Sequence, residues 1–442
     1  MRGRAGTGTV ERTQEDHRQV TPFHDHWLNR KRLLIAYLIF TVYAAALAIY
    51  TGHADQTWAI WAAAGYAVPT LIIWLTRNRR LPVIVPLLIS LAGALAGPVA
   101  WLVTRVTPTP EVQVISRSAV LLLQHGTPYL PQGQLDIWLS YNPYLPVMAL
   151  FGMPRALGAT GLLGDPRLWL TLVSLMLIAA AFWIAAPHRH CDSCRRGVLL
   201  STVFVAASPV IAFPLAVGIT DPPVIALMFL TLALIARPSG VFRAAAALAV
   251  ACAMKATAWP VVPVVSAMLA ARDGARSAWR FAGAVIVVTG ILAVSLAPAA
   301  LVDPYAFIQN TVLFPLGLTK QKTPAASPLP GHLLAMTGTT GHMIAVALLV
   351  TAGIAFGVSL IVRPPADVRA AVWRIALGLT AMFTLSPATR WGYFVYPIGL
   401  VGWLLLTRPP VLTPPESVRP AAVEIPAQAN GAGLNVPVRS GS

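Results

Sequence analysis

Carboxylates are scarce in this sequence: 15 Asp and Glu stand against 32 Lys and Arg in 442 residues. Each acidic side chain that falls between apolar runs is therefore a candidate for chemistry. Six on one expected side of those runs qualify: Asp55, Glu111, Asp136, Asp165, Asp221 and Asp303. Glu111 has the most informative surroundings. Thr109-Pro110-Glu111 predicts a helix start, with Thr as N-cap and Pro at the first helical position, and Gly126 is placed to end that helix. In the first turn the helix dipole favours an ionised carboxylate. Such a group suits plain capping, or a base that accepts a proton from a hydroxyl nucleophile. Asp221 opens another helix in Gly218-Ile219-Thr220-Asp221-Pro222-Pro223, where it could cap or line a polar cavity. Asp55 is expected to be a solvated turn residue.

The cationic candidates are Lys255, in Met254-Lys255-Ala256-Thr257-Ala258-Trp259-Pro260, and Arg390, in Ser386-Pro387-Ala388-Thr389-Arg390-Trp391-Gly392-Tyr393. A cation embedded in apolar surroundings is costly unless paired, so it marks function by default. Together with Lys320, Lys322, His332 and His342 these two could form a positive pocket for a phosphate; simple loop exposure explains Lys320 and Lys322 equally well. Tyr129 and Tyr144 lie in two Tyr- and Pro-rich stretches, Gly126–Pro131 and Tyr141–Pro146. Interfacial anchoring accounts for such aromatics, and their hydroxyls can also bond sugar hydroxyls. No Asp-x-Asp pair occurs, so neither a metal nor another cofactor is expected. His188, His190, Cys191 and Cys194 are spaced too closely for a structural zinc module and read as part of a basic loop. Three cysteines imply no disulfide framework.

Positioning these groups falls to apolar helices. Hydrophobic residues make up 57% of the chain and charged residues 11%, against about 25% charged in soluble proteins. The net charge of +17 is spread in short clusters between apolar runs rather than on one face, which argues against a nucleic-acid partner. Runs of membrane-spanning length fall at 33–51, 57–76, 81–103, 168–187, 198–216, 220–236, 281–300, 342–362, 370–387 and 393–407. The run 243–271 is basic at both ends and too short for two crossings, so it is expected to form a hairpin of two short helices with Lys255 at its turn. The expected fold is therefore an all-α polytopic membrane bundle of about ten full spans plus that hairpin. A cytoplasmic tail, 1–32, precedes the membrane domain, 33–407, and a disordered cytoplasmic tail, 408–442, follows it. No cleavable signal is expected in the polar N-terminal stretch. With both ends cytoplasmic, 24 of the 32 Lys and Arg fall on the inner side, as the positive-inside rule requires. Two long external segments, 104–166 and 301–341, mix apolar, aromatic and Pro residues and are expected to be structured.

Glu111 through Ile115, Ala119 through Tyr129 and Tyr141-Asn142-Pro143-Tyr144 together resemble the first periplasmic loop of bacterial polyprenol-phosphate-mannose-dependent mannosyltransferases of the GT-C superfold. The Gly218–Asp221 helix start and the Lys255-x-Thr-x-x-Pro segment are also similar to family segments. The resemblance is diffuse and covers about 300 residues from Pro110 on. It implies a GT-C-like fold in the plasma membrane and inverting transfer of a sugar from a polyprenyl-phosphate donor to a glycolipid or glycan acceptor. Carried over residue by residue, Glu111 would be the base, with Lys255 and Arg390 holding the phosphate. Glu stands where the family has Asp, the family's histidines near the last spans are missing at Arg390–Tyr393, and the hairpin 33–76 is additional. A transporter or flippase of a lipid-linked or polar substrate, and an inactive scaffold, are the alternative readings from the residues alone.

Overall fold

A computed structural model describes residues 29–76, 81–186, 192–237 and 240–407. His188, His190 and Cys191, the C-terminal tail and most of the N-terminal tail lie outside them. The described chain is almost entirely helical. Seven helices are long and apolar enough to cross a membrane: α1 (Arg30–Tyr50), α2 (His53–Leu75), α3 (Ile84–Arg105), α5 (Pro166–Ala185), α11 (Ala275–Leu296), α12 (Thr339–Val362) and α13 (Val368–Leu385). Between them run α4 (Pro110–His125), α6 (Asp192–Ala207), α7 (Pro209–Val217), α8 (Asp221–Ile235), α9 (Val241–Cys252), α10 (Val261–Asp273) and α14 (Val395–Thr407). The outward faces of α1 and α12 expose Ile35, Ile39 and Val42, and Ile354, Val358 and Ile361. Water would penalise such faces, whereas lipid covers them at no cost. This is a multi-pass membrane protein.

Three of the ten expected full spans differ. The run 198–216 is broken: α6 and α7 meet at 57°, because Pro209 lacks the amide that would continue the helix. The run 220–236 yields α8, only 15 residues long, or about 22 Å at 1.5 Å per residue. The last run yields the 13-residue α14, about 20 Å by the same rise. A hydrocarbon core is about 30 Å thick, so α8 and α14 stop short of it. The run 243–271 forms α9 and α10 with Lys255 in the turn between them, as its length predicts.

Apolar character all round explains where α8 goes. Nearly all of its residues are buried, as for a helix with no polar face, and α5, α9 and α14 pack around it. Because α8, α9 and α10 are short, the turns at Gly218–Asp221 and Ala253–Pro260 form recessed floors between longer neighbours. The segments 104–166 and 301–341 lie over that end of the bundle, fastened to it and to each other. Leu145 and Val147 donate backbone bonds to Met254 and Ala253 (3.0 and 3.1 Å), and Ala299 donates to Gly126 (3.2 Å). The Asn142 amide N–H donates to Asn310 Oδ1 at 2.7 Å, while its side chain donates to Ser118 and Pro128. Tyr141 stacks on Phe314 with centroids 4.4 Å apart.

Candidate functional site

Glu111 reaches its place through its helix start. Thr109 is the N-cap of α4 and Pro110 follows at the first position. The expected capping bond from the Thr109 side chain is not made. Its hydroxyl donates instead to the Val217 carbonyl at 3.0 Å, tying the start of α4 to the turn that begins α8. Gly218 sits in that turn with φ +91°, and a Cβ there would lie 2.3 Å from Val112 Cγ2. Only glycine permits both the backbone conformation and the close approach. At the far end of α4, Gly126 terminates the helix in the left-handed region, φ +65°, as its placement predicts.

Arg390 arrives from the connection between α13 and α14. That connection forms an isolated parallel bridge, Ala326 to Thr389, with Thr389 donating to Ala325 and Ser327 donating to Thr389, both at 2.9 Å. Arg390 Nη1 then donates to Glu111 Oε1 at 2.6 Å, joining residues 279 positions apart. Both side chains are only partly exposed, 36% for Arg390 and 18% for Glu111. Burial raises the Glu111 carboxyl above the ordinary carboxylate range, and the charges of Arg390 and Lys255 oppose that rise. For Arg390, burial works to lower the guanidinium, but the Glu111 carboxylate together with Tyr393 and Tyr144 turns the net direction upward.

Lys255 stands on the recessed turn between α9 and α10. Its ammonium pairs with Asp221 and donates to Thr220 Oγ1 at 3.2 Å. It also lies over the Tyr144 and Tyr393 rings, 5.6 and 5.5 Å from their centroids, within cation–π range. Asp221 is held from a second side: Tyr396 donates to its Oδ1 at 2.6 Å, and Thr257 donates to Tyr396 at 2.7 Å.

Glu111, Tyr144, Lys255 and Arg390 thus line one cavity of about 280 Å³. This is near the small end of ligand sites, suited to a reacting head group rather than to a whole lipid. One wall is aliphatic and aromatic, from Leu349 of α12 and Met382 and Phe383 of α13. Thr257, Thr323 and Ser386 belong to the lining as well, with the Thr257 hydroxyl donated to Tyr396 and the Ser386 hydroxyl to the Ala388 carbonyl. The charged set contains two carboxylates and two cations arranged as two ion pairs, so an entering anion must compete with Glu111 or Asp221 for its counter-charge.

The remaining candidates sit elsewhere. Asp221 is buried beneath Lys255 and does not line the cavity; its geometry orients the lysine. Tyr129 lines a separate cavity with His125 and Asp303, and its hydroxyl donates to the Tyr144 carbonyl at 3.0 Å, so it holds Tyr144 from behind. His332 donates from Nδ1 to the Pro387 carbonyl at 2.8 Å and supports the Arg390 connection without reaching the cavity. Lys320 is exposed, and neither it nor Lys322, His332 or His342 lines the cavity, so of the positive pocket that the sequence allowed only Lys255 and Arg390 are present. Among the other carboxylates, Asp165 caps α5 and pairs with the buried Arg167. Asp303 caps the short helix Pro304–Ile308, and Asp55 is half-buried in the first turn of α2. Sequence reasoning missed Thr257, Tyr393 and Tyr396, which close the Lys255 network, and Trp138, which lines the cavity. Thr257 had a signal, its place two residues after the lysine; Tyr396 and Trp138 had none beyond aromatic character.

Among the described residues, no three His, Cys, Asp or Glu side chains converge as metal ligands would. The arrangement can accept a proton at Glu111 and hold an anion at Lys255 and Arg390. No family model, curated protein or solved structure matches the chain.

Proposed function

We propose that this protein is a membrane glycosyltransferase. It transfers a sugar, mannose by the resemblance above, from a polyprenyl-phosphate donor to a lipid- or glycan-linked acceptor, on a GT-C-like bundle at the outer face of the plasma membrane. The observation that carries the proposal is the meeting of Glu111, Lys255 and Arg390, from three distant segments, at one cavity. Its wall of α12 and α13 residues gives a lipid-linked donor an apolar surface. The Lys and Arg distribution supports cytoplasmic termini. In that orientation the site lies at the outer end of the bundle, toward the interface where a lipid-borne phosphate resides.

In the reaction, the Glu111 carboxylate accepts the proton of the acceptor hydroxyl as its oxygen attacks the anomeric carbon. The bond from that carbon to the phosphate oxygen breaks, and the polyprenyl phosphate leaves with the electron pair. Lys255 and Arg390 neutralise the charge that grows on the leaving phosphate, which lowers the barrier. The Arg390–Glu111 contact means that a donor phosphate, by drawing the guanidinium, also frees the base.

The test is transfer by purified protein in lipid vesicles, given polyprenyl phosphate carrying radiolabelled mannose together with total membrane acceptors. Label appearing in a new product is the expected result. Label crossing the bilayer without a new product would make the protein a transporter of the donor and refute the proposal.

A further inference from the structure

One feature of the cavity is unused by the transfer chemistry. Trp138 lies in its lining, in the connection between α4 and α5, with 38% of its surface exposed. The backbone on either side of this ring is held in place. Trp138–Ser140 is a single 3₁₀ turn, and the Arg117 guanidinium forks onto the next two carbonyls, Leu139 at 2.7 Å and Ser140 at 3.0 Å. On one side Gln321 donates to the Asp136 carbonyl at 2.5 Å; on the other, Tyr141 is stacked flat on Phe314, 8° from parallel. The turn is therefore clamped from both directions, and among the described residues the indole has no aromatic partner of its own. A rigid, presented, unpartnered indole is a pre-organised contact surface.

The chemistry around it selects its ligand. A pyranose ring has an apolar face of C–H groups and a rim of hydroxyls. Its complement is an aromatic face flanked by hydroxyl and carboxylate side chains, and Trp138, Thr323 and Glu111 line one cavity. A hydrocarbon chain has the Leu349, Met382 and Phe383 wall instead. We propose that Trp138 is the stacking platform for a carbohydrate ring of the acceptor. The acceptor is then a glycan or glycolipid whose terminal sugar carries the attacking hydroxyl, not a bare lipid alcohol or a protein side chain. This rests on the glycosyltransferase reading for the word acceptor, but the carbohydrate platform stands on the geometry.

Two measurements separate the platform from that reading. The first is saturation-transfer NMR on the full chain in nanodiscs, with methyl α-D-mannopyranoside and methyl α-D-glucopyranoside as probes. Ring C–H protons of at least one glycoside should receive saturation, with the signal falling at least about fivefold in Trp138→Ala and persisting in Trp138→Phe, since an aromatic face is what matters. Equal signals in wild type and Trp138→Ala, or none from either glycoside, would overturn the proposal. The second is transfer kinetics, in which Trp138→Ala should raise the KM for the acceptor about 30-fold, the size of an anchor-residue loss, and leave the donor KM unchanged. A rise in the donor KM alone would also overturn it. Trp138-dependent sugar binding without any transfer would keep the platform and discard the transferase reading. Transfer with an acceptor KM indifferent to Trp138 would do the reverse.

Discussion

At the scale of single residues, the site is two ion pairs whose members have different tasks. Asp221 is buried and shared between Lys255 and Tyr396, so in the proposed reaction it acts only by orienting the lysine. Glu111 faces the cavity with a single counter-ion, Arg390. Its carboxyl is raised by burial and restrained by Arg390 and Lys255, and a base works only when ionised. Transfer should therefore fail on acidification at a pH above the ordinary Glu value of about 4.3. Arg390→Met removes the leading opposing charge, so the acid limb of kcat/KM should move to still higher pH. A limb that stays put in this variant would assign the titration to another group. The residues of this site were legible singly but not as pairs. Glu111, Lys255 and Arg390 stand out as charges among apolar neighbours, whereas their mutual contacts depend on a fold that joins positions 279 apart. Lys320 and His332 looked equally eligible because the connection around them has no periodicity to say which way its side chains face.

Among the elements, the decisive ones are short. The limits of α4 could be read from Thr109, Pro110 and Gly126, and the hairpin of α9 and α10 from a run too short for two crossings. The bend between α6 and α7 was signalled by Ser208-Pro209, yet continuous apolar composition masked it. The run 220–236 is expected to span, yet α8 begins at Asp221-Pro222-Pro223 and stops at Ile235. Composition cannot distinguish a buried half-length helix from a spanning one, because both are apolar all round. The turn that joins α7 to α8 is the fastening for the whole site, since Gly218 lies against Val112 of α4 and Arg167 of α5. Gly218→Ala should destabilise the protein by about 1–3 kcal/mol through left-handed strain and overpacking. Gly133→Ala, with open space around it, should be nearly neutral. Thermal unfolding in detergent compares them, and equal midpoints would show that this turn does not fasten α4.

For the whole molecule, all the segments that build the cavity lie at one end of the bundle, and the starts of α9 and α11, with Arg243, Arg276 and Arg280, lie at the other. Single cysteines placed on a background lacking the three native ones test which end faces out. An impermeant maleimide should label Lys320→Cys in intact cells and Arg276→Cys only after permeabilisation. Labelling of Arg276→Cys alone in intact cells would invert the topology and put the site in the cytoplasm. In the proposed function the cavity joining Glu111, Lys255 and Arg390 is a catalytic centre with Glu111 as its base. The most direct test is the rate of sugar transfer by Glu111→Gln in lipid vesicles, alongside its binding of the polyprenyl-phosphate donor. Glutamine keeps the shape of the side chain but cannot take a proton, so transfer should fall at least about 100-fold with donor binding retained. Transfer at the wild-type rate in that variant would contradict the account.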